Sequence, residues 1–333
     1  MEIRKLEYFL YICCKYQNFV SLLRTVFAYS TGKIPEKLFA FTKPVIIHPF
    51  YHTVSDEYLP HIRPLYTPKN QLEFTKDIDF LFRHFEPINI DRVYSYVKQG
   101  TLPLKRAFHL SFDDGLRGVY EVVLPLLYRK GIPATIFINT AFIDNKDLFY
   151  RHKAALIIDR MKEKTPSSAI KSEIKKVLAT SYPQRKWLDE TAKLLEVDFQ
   201  SFLTKHRPYL TTDELKDMKS KGFTIGSHSI DHPPYAEINE KEQIRQTVES
   251  CKYVKNNFQE SNAYFSFPFS EAKIPDSFFN AVSLQIDLTF GISGMKTGNQ
   301  GKHIGRIDME KREKAQEIIH PALLKHKILE ICK

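Results

Sequence analysis

Seven short apolar runs, with helical patterns between them, constrain this chain more than any other feature. They fall at 45–50, 108–112, 134–138, 223–227, 263–267, 287–290 and 303–307. Runs this short, alternating with helix-period stretches, predict a mainly parallel α/β sheet. Residues 116–129 read as a helix that stops at Lys130-Gly131-Ile132-Pro133. Thr211 and Glu214 form a capping-box pattern ahead of a helix closed by Gly222, and 240–258 is a third long helix. Residues 144–210 differ in character: they are charged, lack glycine, follow a helical period and break near Pro166 and Pro183. They hold no catalytic motif and read as a helical insertion, either a cap that selects substrate or a decoration of the sheet.

At 333 residues and 43% hydrophobic content, the chain has material for a sizeable core in one large domain or two smaller ones. The net charge is +10, yet Lys and Arg are scattered, which argues against a nucleic-acid-binding tract. Cys13, Cys14, Cys251 and Cys332 have no metal-type spacing, and two are adjacent, so reduced thiols in a cytoplasmic protein are expected. The apolar run 8–14 is too short to span a bilayer, and Glu2 and Glu7 spoil a basic leader, so no signal peptide is expected. Leu6, Phe9, Leu10, Cys13, Tyr16, Val20, Leu23 and Phe27 make a helical stripe with Arg4, Lys5, Lys15 and Arg24 on other faces. Such a helix either packs on its own domain or a partner, or makes peripheral membrane contact through residues 4–27. The expected division is an N-terminal amphipathic segment, 1–43, and a catalytic domain, 44–333.

The chemistry concentrates at two strand ends. Ser111-Phe112-Asp113-Asp114-Gly115 closes the run 108–112, and strand ends that open into loops are where such sheets place their sites. Two adjacent carboxylates repel, so a site that keeps both ionised supplies a cation. His228-Ser229-Ile230-Asp231-His232 follows the run 223–227. One Asp and two His make three ligands, which leaves a zinc-like ion an open position for water. Alone, the first motif reads as an Asp-Gly turn and the second as a surface histidine pair. Together, in order, each beyond a strand, they predict a metal site.

These residues resemble the motifs of the NodB-type polysaccharide deacetylases, carbohydrate esterases that remove N-acetyl groups from sugars. The first motif, (T/S)FDDG, is complete at Ser111–Gly115, and the second, H(S/T)xxH, at His228–His232. An aromatic-Pro-aromatic turn matches Phe267-Pro268-Phe269. The resemblance spans roughly 44–142 and 211–309 and implies an irregular (β/α) barrel of seven strands. It implies that Asp114, His228 and His232 hold a divalent metal, most simply Zn2+ or another transition ion. Asp113 becomes the base, and the Phe269 backbone N–H donates to the oxyanion. His52, Pro268 and Phe290 are expected on the substrate side. The chain departs from the family in three places, one of them Asp287-Leu288-Thr289-Phe290, which offers at best Phe290 where the family carries a Trp. Tyr264-Phe265-Ser266 lacks the Arg that pairs with the base, and Ile304-Gly305-Arg306 places Arg where the family carries a His. Arg306 is therefore expected to pair with Asp113; it does not titrate in the range a proton donor needs. The activity implied is deacetylation of an amino sugar in a glycan or glycan precursor, in bacterial surface-polysaccharide or lipopolysaccharide synthesis. The expected place is the cytoplasm, peripheral to the inner face of the membrane. Two rivals remain: hydrolysis of a non-sugar amide, and a non-catalytic glycan binder on a degenerate scaffold.

Overall fold

The computed structural model describes residues 44–165, 169–298, 301–311 and 313–331. The N-terminal stripe 4–27, Cys13, Cys14, Cys332 and the break at Pro166 lie outside them. Among the described residues, no helix is long and apolar enough to cross a membrane.

Among the described residues twelve short strands form the scaffold: β1 Ile46–Ile47, β2 Pro49–Tyr51, β3 Glu86–Pro87, β4 Ala107–Phe108, β5 Leu110–Phe112, β6 Ala134–Ile138, β7 Thr224–Ser227, β8 Tyr264–Ser266, β9 Leu288–Gly291, β10 Thr297–Gly298, β11 His303–Gly305 and β12 Ile307–Asp308. Nine of them make one sheet in the order β10-β11-β9-β8-β7-β6-β5-β2-β12, and every pairing except β10 with β11 is parallel. Only Arg306 separates β11 from β12. The first pairs with β9 and the second with β2, so this broken strand closes the sheet on itself. The Arg306 amide donates to Gly291 O (3.0 Å), and the next amide, Ile307, donates to His48 O (2.8 Å). The seven expected strands are thus the seven staves of an irregular barrel.

Two other staves break in the same way. His48 separates β1 from β2, and His109 separates β4 from β5. The halves before the breaks pair with each other and with β3 as a separate three-stranded ribbon, while the halves after them join the barrel. His48 and His109 are buried with their Nδ1 atoms 3.4 Å apart, and His109 Nε2 lies 2.9 Å from Thr135 Oγ1. Burial, reinforced by Arg306, pushes His48 down to about 3, so the pair carries no charge against the guanidinium.

Helices cover the barrel. Asn70 and Glu73 make a reciprocal capping box for helix Gln71–His84, as Thr211 and Glu214 do for Thr212–Ser220. The stretch expected as one helix from 116 starts as a π-helical turn, Val119–Val123, and becomes α-helical at Leu124–Lys130. It ends at Gly131 in the left-handed region (φ 65°). Among the described residues, the 144–210 segment holds four α-helices, Tyr150–Lys164, Lys171–Leu178, Lys186–Leu194 and Phe199–His206. They bury an apolar core of their own, including Ile157, Leu188 and Leu203, that also takes in Ile62 and Leu116.

Candidate active site

The first motif turns sharply because β5 ends at Phe112. Asp114 adopts a left-handed conformation (φ 71°), and Gly115 follows at φ 62°. A Cβ on Gly115 would sit 3.1 Å from Ile138 Cγ2, so close packing on β6 and the backbone angle both demand glycine. Ser229 (75°), His232 (59°) and Phe269 (56°) are left-handed as well. Non-glycine residues in this region cost about 1–2 kcal/mol each, and here they gather where the motifs meet.

The two turns bring Asp114, His228 and His232 together, with one ligand atom from each within 4.8 Å of the other two. Asp114 Oδ1 lies 3.5 Å from His228 Nε2 and 3.2 Å from His232 Nε2. All three residues are buried. His228 donates from Nδ1 to the Ser266 carbonyl (2.8 Å), which leaves its Nε2 lone pair facing the carboxylate. The His232 ring is fixed by aromatic neighbours instead, Phe149 at 4.3 Å and Phe269 at 4.7 Å between centroids, and its amide donates to Ser229 Oγ (3.0 Å). Burial raises the Asp114 carboxyl, but His232 and its neighbours outweigh that and hold it well below the usual carboxylate range. Burial pushes His228 down to about 4.

Asp113 lies beside this cluster, Oδ2 3.9 Å from His228 Nε2, and its carboxylate is held from within the barrel. Arg306, fully buried, grips it with both ends of its fork, Nη1 to Oδ1 at 2.7 Å and Nη2 to Oδ2 at 2.6 Å. The other donors reach Ser111 Oγ (3.1 Å), Ser266 Oγ (2.7 Å) and Gly291 O (3.3 Å), so all five N–H groups are used. The Phe50 ring lies 4.3 Å beneath the guanidinium carbon. Burial would raise the Asp113 pKa; Arg306, followed by His228, brings the net shift below the ordinary value. The break in the strand aims Arg306 inward, onto Asp113.

A cleft of about 800 Å³ opens over these residues, lined by His52, Tyr66, Phe149, Arg151, His152, Phe269 and Lys311 among others. His52 stands at its wall with Nδ1 2.5 Å from Glu310 Oε2, and Glu310 Oε1 accepts the His52 amide (2.8 Å). Burial lowers the His52 pKa, but Glu310, with weaker help from Asp114 and Asp113, pushes it up to about 10. The Tyr66 hydroxyl is buried with no hydrogen-bond partner among the described residues.

Two expected substrate-side residues are placed elsewhere. Phe290 is fully buried against Phe137, His109 and His48, because β9 is covered along its whole length and a strand-end aromatic there packs inward. Pro268 is buried within its turn, its carbonyl accepting the Ser270 amide (2.7 Å), and the cleft wall is made by Phe267 and Phe269 on either side. Sequence reasoning missed Glu310, which follows the last strand with no motif around it. It also missed Phe149, Arg151, His152 and Tyr182, all from the 144–210 segment. Tyr182 donates to Asp231 Oδ2 (2.5 Å) and braces the second motif from outside, while Gln246 donates to Oδ1 (2.7 Å). An aromatic-basic cluster, Phe149-Tyr150-Arg151-His152, was the available signal.

The fold is similar to several solved deacetylase structures. The Streptococcus pyogenes deacetylase PplD superposes with a TM-score of 0.56 at 16% identity, over 84% of this chain and 99% of that one. IcaB from Ammonifex degensii gives 0.55 at 13%, over 84% and 97%. A de-N-acetylase from Aggregatibacter actinomycetemcomitans gives 0.53 at 15%, over 83% and 99%. At such identities the likeness is one of fold. No curated protein matches the sequence. The sequence profile of polysaccharide deacetylases matches residues 102–288, a span that holds both motifs and the Phe267–Phe269 turn, though neither His52 nor Arg306. With that match over more than half its length, the chain belongs to the polysaccharide deacetylase family, enzymes that hydrolyse C–N bonds of N-acetylated glycans.

Proposed function

We propose that this chain is a metal-dependent N-deacetylase acting on an N-acetylated amino sugar in a glycan or glycan precursor. The observation that carries the reading is the convergence of Asp114, His228 and His232 beside a separate carboxylate, Asp113, that Arg306 keeps ionised. The donor set fits a divalent cation of the zinc type. Asp114 Oδ1 is buried without a hydrogen-bond partner among the described residues, and two imidazole Nε2 atoms face it.

A divalent cation held by these three residues supplies Lewis acidity, acidifying water and polarising the acetamide carbonyl. The remaining work falls to the chain's own groups. Asp113 accepts the proton of the attacking water, with Arg306 fixing its orientation and its charge. The Phe269 amide, presented from a left-handed turn, donates to the oxygen that becomes negative as the carbonyl is attacked. His52, charged through Glu310, donates the proton that the departing amine requires. Acetate and a free amino sugar result. The motif resemblance and the basic amphipathic pattern of 4–27 support a role in surface-polysaccharide or lipopolysaccharide synthesis at the cytoplasmic face of the membrane. Elemental analysis, coupled to acetate release from N-acetylglucosamine oligomers with and without chelator, tests the reading. Full activity in metal-free protein overturns the metal assignment, and acetate released from simple amides but from no sugar overturns the substrate assignment.

A further inference from the structure

We propose that the mouth of the cleft carries an anion-binding subsite built on Arg151 and Lys311. The amino sugar deacetylated here then bears a negative charge nearby, on a phosphate ester or on an adjoining uronic acid. The inference rests on the deacetylase reading of the adjacent site and adds the class of its substrate.

Most of the charges that line the cleft meet an opposite charge, an imidazole or a hydrogen-bond donor. Asp113 is paired with Arg306, Glu310 with His52, and Asp114 faces two imidazoles. Asp308 turns Oδ1 toward the Glu310 amide (2.9 Å). Arg151 and Lys311 line the same cleft, and neither has a carboxylate within ion-pairing distance among the described residues.

Arg151 is also held in place. It is half-buried at the start of helix Tyr150–Lys164 and donates from Nη1 to the Leu178 carbonyl. Its guanidinium carbon lies 5.1 Å from the Tyr150 ring centroid and 6.0 Å from that of Phe269. Phe269 in turn packs against His232, so the cation stands one aromatic ring beyond the proposed metal ligands. That separation suits a substituent or neighbouring sugar and leaves the acetamide to the ligands. A partly desolvated guanidinium without a counter-ion is costly, and a bound anion offsets that cost. Its planar fork matches the paired oxygens of phosphate and carboxylate alike, while the exposed Lys311 adds charge with little directional demand.

The test uses metal-loaded, full-length protein and two matched pairs of substrates. N-Acetylglucosamine 1-phosphate is set against the methyl glycoside of N-acetylglucosamine, and an oligosaccharide alternating N-acetylglucosamine with glucuronate is set against chitotetraose. Wild-type protein is expected to favour the charged member of one pair by about 10-fold or more in kcat/KM, mainly through KM, and less so at high salt. The pair that shows the preference identifies phosphate or carboxylate as the anion. Arg151→Gln is expected to shrink the charged-to-neutral ratio by roughly 10-fold, and Arg151→Lys to restore part of it. Equal kcat/KM for charged and neutral members overturns the proposal, as does an equal loss on both in Arg151→Gln, which is what a mere brace between Leu178 and Phe269 would give. Calorimetric binding of the same compounds decides the subsite independently of turnover. A charge preference in binding with no acetate from any compound sinks the deacetylase reading and leaves the subsite standing.

Discussion

Arg306→Met removes the side chain on which the largest number of interactions at the site converge. Methionine fills much of the same volume but supplies neither charge nor donor. It would leave Asp113, 2% exposed, with the Ser266 hydroxyl at 3.4 Å and His228 Nε2 at 3.9 Å as its nearest polar neighbours. Stripping one partner from a buried ion pair costs about 3–5 kcal/mol. That loss lowers the melting temperature by roughly 6–20 °C, at about 2–4 °C per kcal/mol. The pH dependence has a definite sign. In the wild type, Arg306 and its neighbours outweigh burial, and the Asp113 carboxyl lies below its unfolded value. The stability this contributes is present above about pH 3.9 and is lost as pH falls through the folded value. In the variant burial acts nearly alone, the pKa rises, and the destabilisation is full at neutral pH but fades as acid protonates the carboxyl. The two melting curves therefore converge on acidification. Adding Asp113→Asn to Arg306→Met removes the stranded charge and is expected to recover about 2–3 kcal/mol. Scanning calorimetry between about pH 4 and 8, with chelator to exclude metal, measures all three proteins. A single variant within about 2 °C of wild type at neutral pH, a gap that widens in acid, or a double variant no more stable than the single one refutes the reasoning.

Four further outcomes follow from the same geometry. Asp113→Asn is expected to keep bound metal while lowering turnover by about 10²–10⁴-fold, whereas His232→Ala loses both; equal metal loss in the two would contradict the separate roles of ligand and base. Gly115→Ala forces a Cβ against Ile138 at a left-handed angle and is expected to destabilise by about 1–2 kcal/mol, read from thermal melting. In Glu310→Gln, His52 loses the main group that raises its pKa to about 10. The stability that this raised group contributes is full below about pH 6.5 and vanishes as pH climbs through about 10, so the alkaline limb of kcat/KM moves to lower pH in the variant. A limb that stays in place shows that His52 is not the proton donor. Tyr66→Phe deletes a hydroxyl with no internal partner, so the melting temperature is expected to hold while kcat/KM falls by about 10-fold; unchanged kinetics would show that substrate never meets it.

The strand runs were legible because parallel strands buried on both faces are largely apolar, as β6 illustrates, with four apolar residues among its five buried ones. The metal-type cluster was legible because each half is local, two motifs of five residues each at a strand end. What joins distant segments was not. Glu310 meets His52 across 258 positions of sequence, and nothing in Met309-Glu310-Lys311 marks it. The 144–210 segment was readable as helical from its period. That its Phe149 stacks on His232 and its Tyr182 holds Asp231 depends on how that segment folds back over the barrel mouth. Phe290 misled because its position along the strand says which end it occupies and nothing about which neighbours cover it.

The three strand breaks explain why Arg306 replaces two family features at once. His48, His109 and Arg306 are buried polar residues that each interrupt a stave, with one short strand before and another after. At Arg306 the pairing changes from β9 to β2, which closes the barrel and turns the side chain into the lumen behind Asp113. Here β8 offers Ser266, which accepts one of the guanidinium's bonds and whose carbonyl orients His228. Moving the arginine to the closing strand leaves that position without an imidazole, and His52, held by Glu310 on the loop just after the same strand, stands at the cleft wall, where the proposed mechanism makes it the proton donor. Under the proposed mechanism these two departures from the family pattern are one rearrangement: the closing strand supplies the cation beside Asp113, and its next turn supplies the carboxylate beside His52.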